Sequence, residues 1–163
     1  MSDTRVYLPT TLTRLAEVMA SGGIGPAPFA AYAVTERLRT ELSDVGEEDW
    51  EYAAMSAAAQ AAVGLLSDDD RPRRVVIALD APGVVPVVGA EDSLVEVQEV
   101  VKTTHVAAVH VDSADAEDDV RAATEAWPEA EAGDQAAQET VDRCLDHELG
   151  WFAAQEIGEL LES

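Results

Sequence analysis

The residues best suited to chemistry in this chain are two histidines and their acidic neighbours. His110 and Asp112 stand two apart at the end of a strand-like run, Val106–Val111. In a strand, both side chains therefore leave the same face. Asp115 and Asp118 follow, and His147 with Glu148 comes later. His110, Asp112 and His147 could contribute to a mixed His/Asp metal centre, which needs at least three converging ligands. With Glu148, the same set could serve a small-molecule or metal-dependent enzyme. The competing reading is structural: Asp112 or Asp115 caps the helix that follows, and His110 is a half-buried strand residue. Cys144 lies three residues before His147. A nucleophilic Cys–His pair requires an exposed thiol of depressed pKa. Cys144 instead borders an apolar stripe and sits among acids, so a packed cysteine is expected. A lone cysteine also excludes an internal disulfide and a multi-cysteine zinc site. No dinucleotide glycine motif, phosphate loop, nucleophile elbow or His-Glu-x-x-His is present.

These residues must be positioned by recognisable elements. Val75–Leu79 and Val106–Val111 read as the clearest strands, with Arg5–Leu8 and Phe29–Val34 as further ones. Pro86 limits Val84–Val88 to a sheet edge. Leu94–Val101 fits a solvated strand or a short helix. Thr10 or Thr11 caps a helix through Ala20, Thr35 begins a short one to about Leu42, and Asp134 caps the last helical region. The acidic run before Trp50 opens a long helix to about Leu66, apolar on two sides and so expected to be buried. Asp112–Asp115 opens a helix to about Ala126. Around Asp142–Leu161, a helical projection gathers Val141, Leu145, Leu149, Phe152, Ala153 and Leu160 into one stripe. Glu156 falls inside that stripe. Either Gly150 breaks the helix and Glu156 is solvated, or Glu156 is buried against an arginine. An offset of one hundred residues relates Glu48, Tyr52, Ala53 and Ala54 to Glu148, Phe152, Ala153 and Ala154, consistent with a possible internal pseudo-twofold repeat.

The bulk numbers narrow the function classes. The 163 residues suit one domain, 1–163, with a real core. The net charge of −23 opposes binding to nucleic acid and to anionic membrane surfaces. No apolar run approaches the roughly 20 residues of a membrane span, and a signal-peptide core is missing, so a cytoplasmic location is expected.

Several short motifs occur together: R-V-Y-L-P at Arg5–Pro9, G-P-A-P at Gly25–Pro28, E-Y-A-A at Glu51–Ala54, V-H-V-D at Val109–Asp112 and D-H-E-L-G-W-F-A-A-Q-E-I at Asp146–Ile157. In these the chain resembles a small family of uncharacterised actinobacterial proteins. The resemblance implies no activity. It marks Arg5, Tyr7, His110, Asp112, His147, Glu148, Trp151, Gln155 and Glu156 as motif members. The expected fold is α+β, a small mixed or antiparallel sheet with helices mainly on one face. The expected function is that of a non-catalytic acidic interaction or regulatory protein, acting as a homodimer and requiring no cofactor. The alternative is a small-molecule-binding or metal-dependent enzyme with a His/Asp/Glu site, its candidate residues being His110, Asp112, His147, Glu148 and Glu156.

Overall fold

The computed structural model describes residues 3–89 and 91–162. Its strands are β1 (Thr4–Thr10), β2 (Gly23–Ile24), β3 (Phe29–Ala33), β4 (Val75–Ala81), β5 (Val84–Pro86), β6 (Leu94–Val97), β7 (Val101–Lys102), β8 (Val106–Val111) and β9 (Gly150–Ala153). Its helices are α1 (Leu12–Ser21), α2 (Glu36–Glu41), α3 (Glu47–Val63), α4 (Glu117–Glu131), α5 (Gln135–Asp142) and α6 (Ile157–Glu162). Seven strands form one sheet in the order β5-β6-β3-β1-β4-β8-β9, and every neighbouring pair is antiparallel. β2 and β7 make a separate antiparallel pair. The fold is thus α+β with an open antiparallel sheet, as the strand and helix patterns lead one to expect, but helices cover both faces of the sheet rather than mainly one.

The central strand β4 explains the two-sided core. Val75, Ile77, Leu79 and Ala81 enter one hydrophobic cluster, while Val76 and Ala78 enter another. A strand buried on both faces needs apolar residues at consecutive positions, and Val-Val-Ile-Ala-Leu supplies them. The longest helix, α3, takes one face together with Leu38 of α2, and its Ala54, Ala58 and Ala59 let it approach closely. Two shorter helices take the other face, through Leu15 and Val18 of α1 and Ile157 of α6. Beyond the sheet, the end of α3 packs on α4 and α5 through Val63, Val120, Ala123 and Val141.

Local signals set most helix starts. Thr11 accepts a hydrogen bond from the Arg14 amide, Thr35 from Leu38 and Asp134 from Ala137, each at 3.0–3.1 Å. Gly22, at φ 83°, ends α1 in the left-handed conformation that glycine adopts without penalty. Among the described residues no helix is long and apolar enough to cross a membrane.

Four expectations are corrected. Asp142–Leu161 is not one helix: α5 ends at Asp142, a 3-10 turn spans Arg143–Asp146, and Gly150–Ala153 is strand. The cause is tertiary. β8 offers a free edge, and β9 pairs with it through Val111↔Gly150, His110↔Trp151, Val109↔Phe152 and Ala108↔Ala153. That pairing outweighs a helical pattern already weakened by Gly150. Asp112 caps no helix; a 3-10 turn at Ala114–Ala116 leads into α4, which runs on past Pro128 to Glu131. Helix α3 is not buried all round, since Tyr52 is more than half exposed. Finally, the hundred-residue offset sets helix at 52–54 against strand and 3-10 turn at 152–154, so it does not relate equivalent elements.

Candidate functional site

The site begins with two charged residues that flank paired strands. Arg74 precedes β4 and Asp112 follows β8, so the β4–β8 ladder brings them face to face. The Asp112 amide donates to the Arg74 carbonyl at 3.1 Å, and the Arg74 amide donates back to Asp112 Oδ2 at 2.8 Å. The guanidinium adds Nε to Oδ2 at 2.8 Å and Nη2 to Oδ1 at 2.9 Å. This two-pronged geometry is the strong form of the arginine–carboxylate bond. The two side chains are 2% and 0% exposed. Arg74 also reaches the His147 carbonyl at 3.1 Å and Gln60 Oε1 at 3.4 Å. One arginine thus joins α3, the end of β8 and the segment leading into β9.

His147 is held from the other side. Its Nε2 donates to Asp119 Oδ2 of α4 at 2.8 Å. Cys144, one turn earlier, is buried, and its thiol meets the Asp119 carbonyl at 3.7 Å. Burial pushes that thiol up to about 11, with the carboxylates of Asp112, Asp119 and Asp142 adding to the effect against Arg74. A thiol so protonated is no nucleophile at neutral pH. The packed cysteine expected from its neighbours is what the fold contains.

Above Arg74 lies a cavity of about 250 Å³. His110, His147 and Glu148 line it, with Tyr52 and Met55 of α3 and Trp151 of β9. Three of the five candidate residues therefore share one pocket, and Asp112 supports its floor through Arg74. His147 and Glu148 arrive there on extended chain before β9, not on a helix. Glu156 stands apart and is exposed. Its carboxylate accepts the Ala153 amide at 2.9 Å, capping the last helical turns, and among the described residues it has no arginine partner.

The candidate ligands His110, Asp112 and His147 are not brought together as a set of three. Among the described residues no group of three His, Cys, Asp or Glu side chains could hold an ion. The reason is visible in the bonds: Arg74 takes both Asp112 oxygens, and Asp119 takes His147 Nε2. The residues that sequence reasoning misses are Arg74, Gln60 and Asp119. Only Arg74 left a signal, as an arginine abutting the strand that pairs with the one ending in Asp112.

Burial lowers the basicity of His110, and the charge of Arg5 adds to it. The native ring thus protonates below 6.5, its ordinary value, whereas the unfolded chain protonates near it. Between those two values the unfolded state holds the extra proton, so this residue makes stability fall as pH drops below 6.5. Urea unfolding of His110→Gln at about pH 5.5 and about pH 7.5 is expected to show a smaller stability difference than wild type. An unchanged difference would remove His110 from the account.

No curated protein and no solved structure matches the chain. A family model described as a family of unknown function does, over residues 4–161. The wide span of that match agrees with motifs spread from Arg5 to Ile157, and the chain belongs to this family, DUF6912.

Proposed function

We propose that this chain is a non-catalytic interaction or regulatory protein that acts as a homodimer through the face around Trp151. One observation carries the reading. Trp151, Tyr52 and Leu145 are 62%, 56% and 56% exposed, and all three border the cavity over Arg74. Large apolar side chains clustered in this way favour contact with another surface. The charged groups beneath them are engaged in holding the fold, as the Arg74–Asp112 and His147–Asp119 pairs show. Glu156 already occupies the Ala153 amide, so the side-chain face is a better contact than the backbone edge of β9.

Charge weighs against two copies meeting, since each carries −23. At physiological salt that repulsion is screened beyond about 8 Å. Glu148 is the single acidic side chain in the cavity lining. Light scattering after size exclusion is expected to show a dimer that strengthens with added salt. Trp151→Glu is expected to weaken it about 100-fold or more, in line with loss of a central aromatic anchor. A wild type that stays monomeric at every concentration would overturn the homodimer.

A second reading, small-molecule binding, draws on the convergence of His110, His147 and Glu148 at one pocket. Ligand-dependent quenching of Trp151 fluorescence in a monomeric protein would favour it over the first.

A further inference from the structure

We infer that a second cavity, between α1 and the end of β1, is a binding site for a small apolar monocarboxylate. It shares no lining residue with the cavity over Arg74, so it stands or falls apart from the proposed contact face. Its volume is about 430 Å³, within the range that small ligands occupy. Leu8, Val18, Ile24, Phe29 and Leu65 supply apolar walls, and Val18 and Ile24 belong to the buried core.

The lining holds one charged side chain, Arg14, and no acid. Arg14 Nη2 donates to the Gly25 carbonyl at 3.2 Å, a neutral partner. Among the described residues no carboxylate lies within ion-pair distance of it. Arg5, Arg37, Arg39, Arg71, Arg73 and Arg74 each have a carboxylate partner, whereas Arg14, which is exposed, resembles Arg121 in donating to backbone carbonyls. A guanidinium carries five donors in a planar fork that matches a carboxylate, and one carbonyl leaves most of them available. The cavity therefore combines an apolar body site with one anion-recognising head.

The overall charge of −23 opposes any anion. Beyond about 8 Å that field is screened at physiological salt, so direct contact with Arg14 decides. A single negative charge is consequently favoured over a dianion. Leu65, half exposed at the mouth, would be covered by the ligand's apolar tail.

The test is an amide NMR titration of the whole chain with sodium octanoate, and with octan-1-ol as the uncharged control. Saturable shifts are expected at Leu8, Thr11, Ile24 and Phe29, with octan-1-ol binding about tenfold more weakly. Arg14→Gln is expected to lower octanoate affinity by a similar factor, and its thermal unfolding shows whether the fold is kept. Equal affinity for acid and alcohol, unchanged affinity in a folded Arg14→Gln, shifts centred elsewhere or no saturable binding would each overturn the proposal. Should Arg14→Gln fail to fold, the acid–alcohol comparison on the native chain decides.

Discussion

Replacing Arg74 by methionine is expected to destabilise the fold by about 3–5 kcal/mol, the usual loss when one partner of a buried ion pair is removed. Asp112 would keep its carboxylate inside the protein with only the Arg74 backbone amide as donor, having lost the guanidinium bonds at 2.8 and 2.9 Å. The same change releases the His147 carbonyl and Gln60, so α3 and the segment before β9 lose their common tie. The pair itself is a different matter. Burying two charges costs nearly as much as their attraction returns, so Arg74→Met with Asp112→Leu is expected to recover most of the loss. Urea unfolding of the two single variants and the double variant measures this directly. A single-variant loss under about 1 kcal/mol, the range of exposed pairs, would show that water reaches the pair.

Ile157→Ala is expected to cost about 2–5 kcal/mol, as for other fully buried isoleucines. Ile157 is 1% exposed and is the fully buried anchor of α6, while Leu160 and Leu161 are only partly buried. A six-residue helix has too few internal hydrogen bonds to stand by itself. Its order depends on that anchor, and Glu156 directly before it caps the Ala153 amide. Hydrogen exchange should therefore show β9 losing protection well before β1 and β4 do. Uniform loss across the sheet would mean that α6 is part of one cooperative unit with its centre.

Much of the sheet was legible because its signals are local. Val75–Leu79 carries apolar residues without interruption, Val106–Val111 does so except at His110, and Pro86 has one comfortable place, at an edge, where β5 lies. Thr11, Thr35 and Asp134 cap the helices they precede because a cap needs only an oxygen three residues ahead of an amide. What was not legible depended on distance. Arg74 and Asp112 are 38 residues apart, and nothing in either neighbourhood names the other. The stretch 142–161 reads as a helix by its own periodicity, and only the free edge of β8 makes part of it a strand. His147 and Glu148 stand out in the sequence through one motif and share a cavity with His110, but on extended chain rather than on a helix. Glu156 was puzzling on a helical projection and becomes ordinary once Ala153 is seen to open a short turn that a glutamate three residues on can cap.

The strand order has a bearing on how the chain assembles during synthesis. β1 and β3 pair first in sequence order, β4 joins the free side of β1, β6 joins β3, β8 joins β4 and β9 joins β8. Each newcomer is laid on an existing rim, so no pair already made has to be prised apart to admit a later one. The vulnerable interval falls between β4 and β8. Through it, the open edge of the apolar strand β4 waits without its β8 neighbour while residues 82–105 emerge. A chain halted in that interval would present an apolar strand with one edge unpaired, the kind of surface on which misassembly starts.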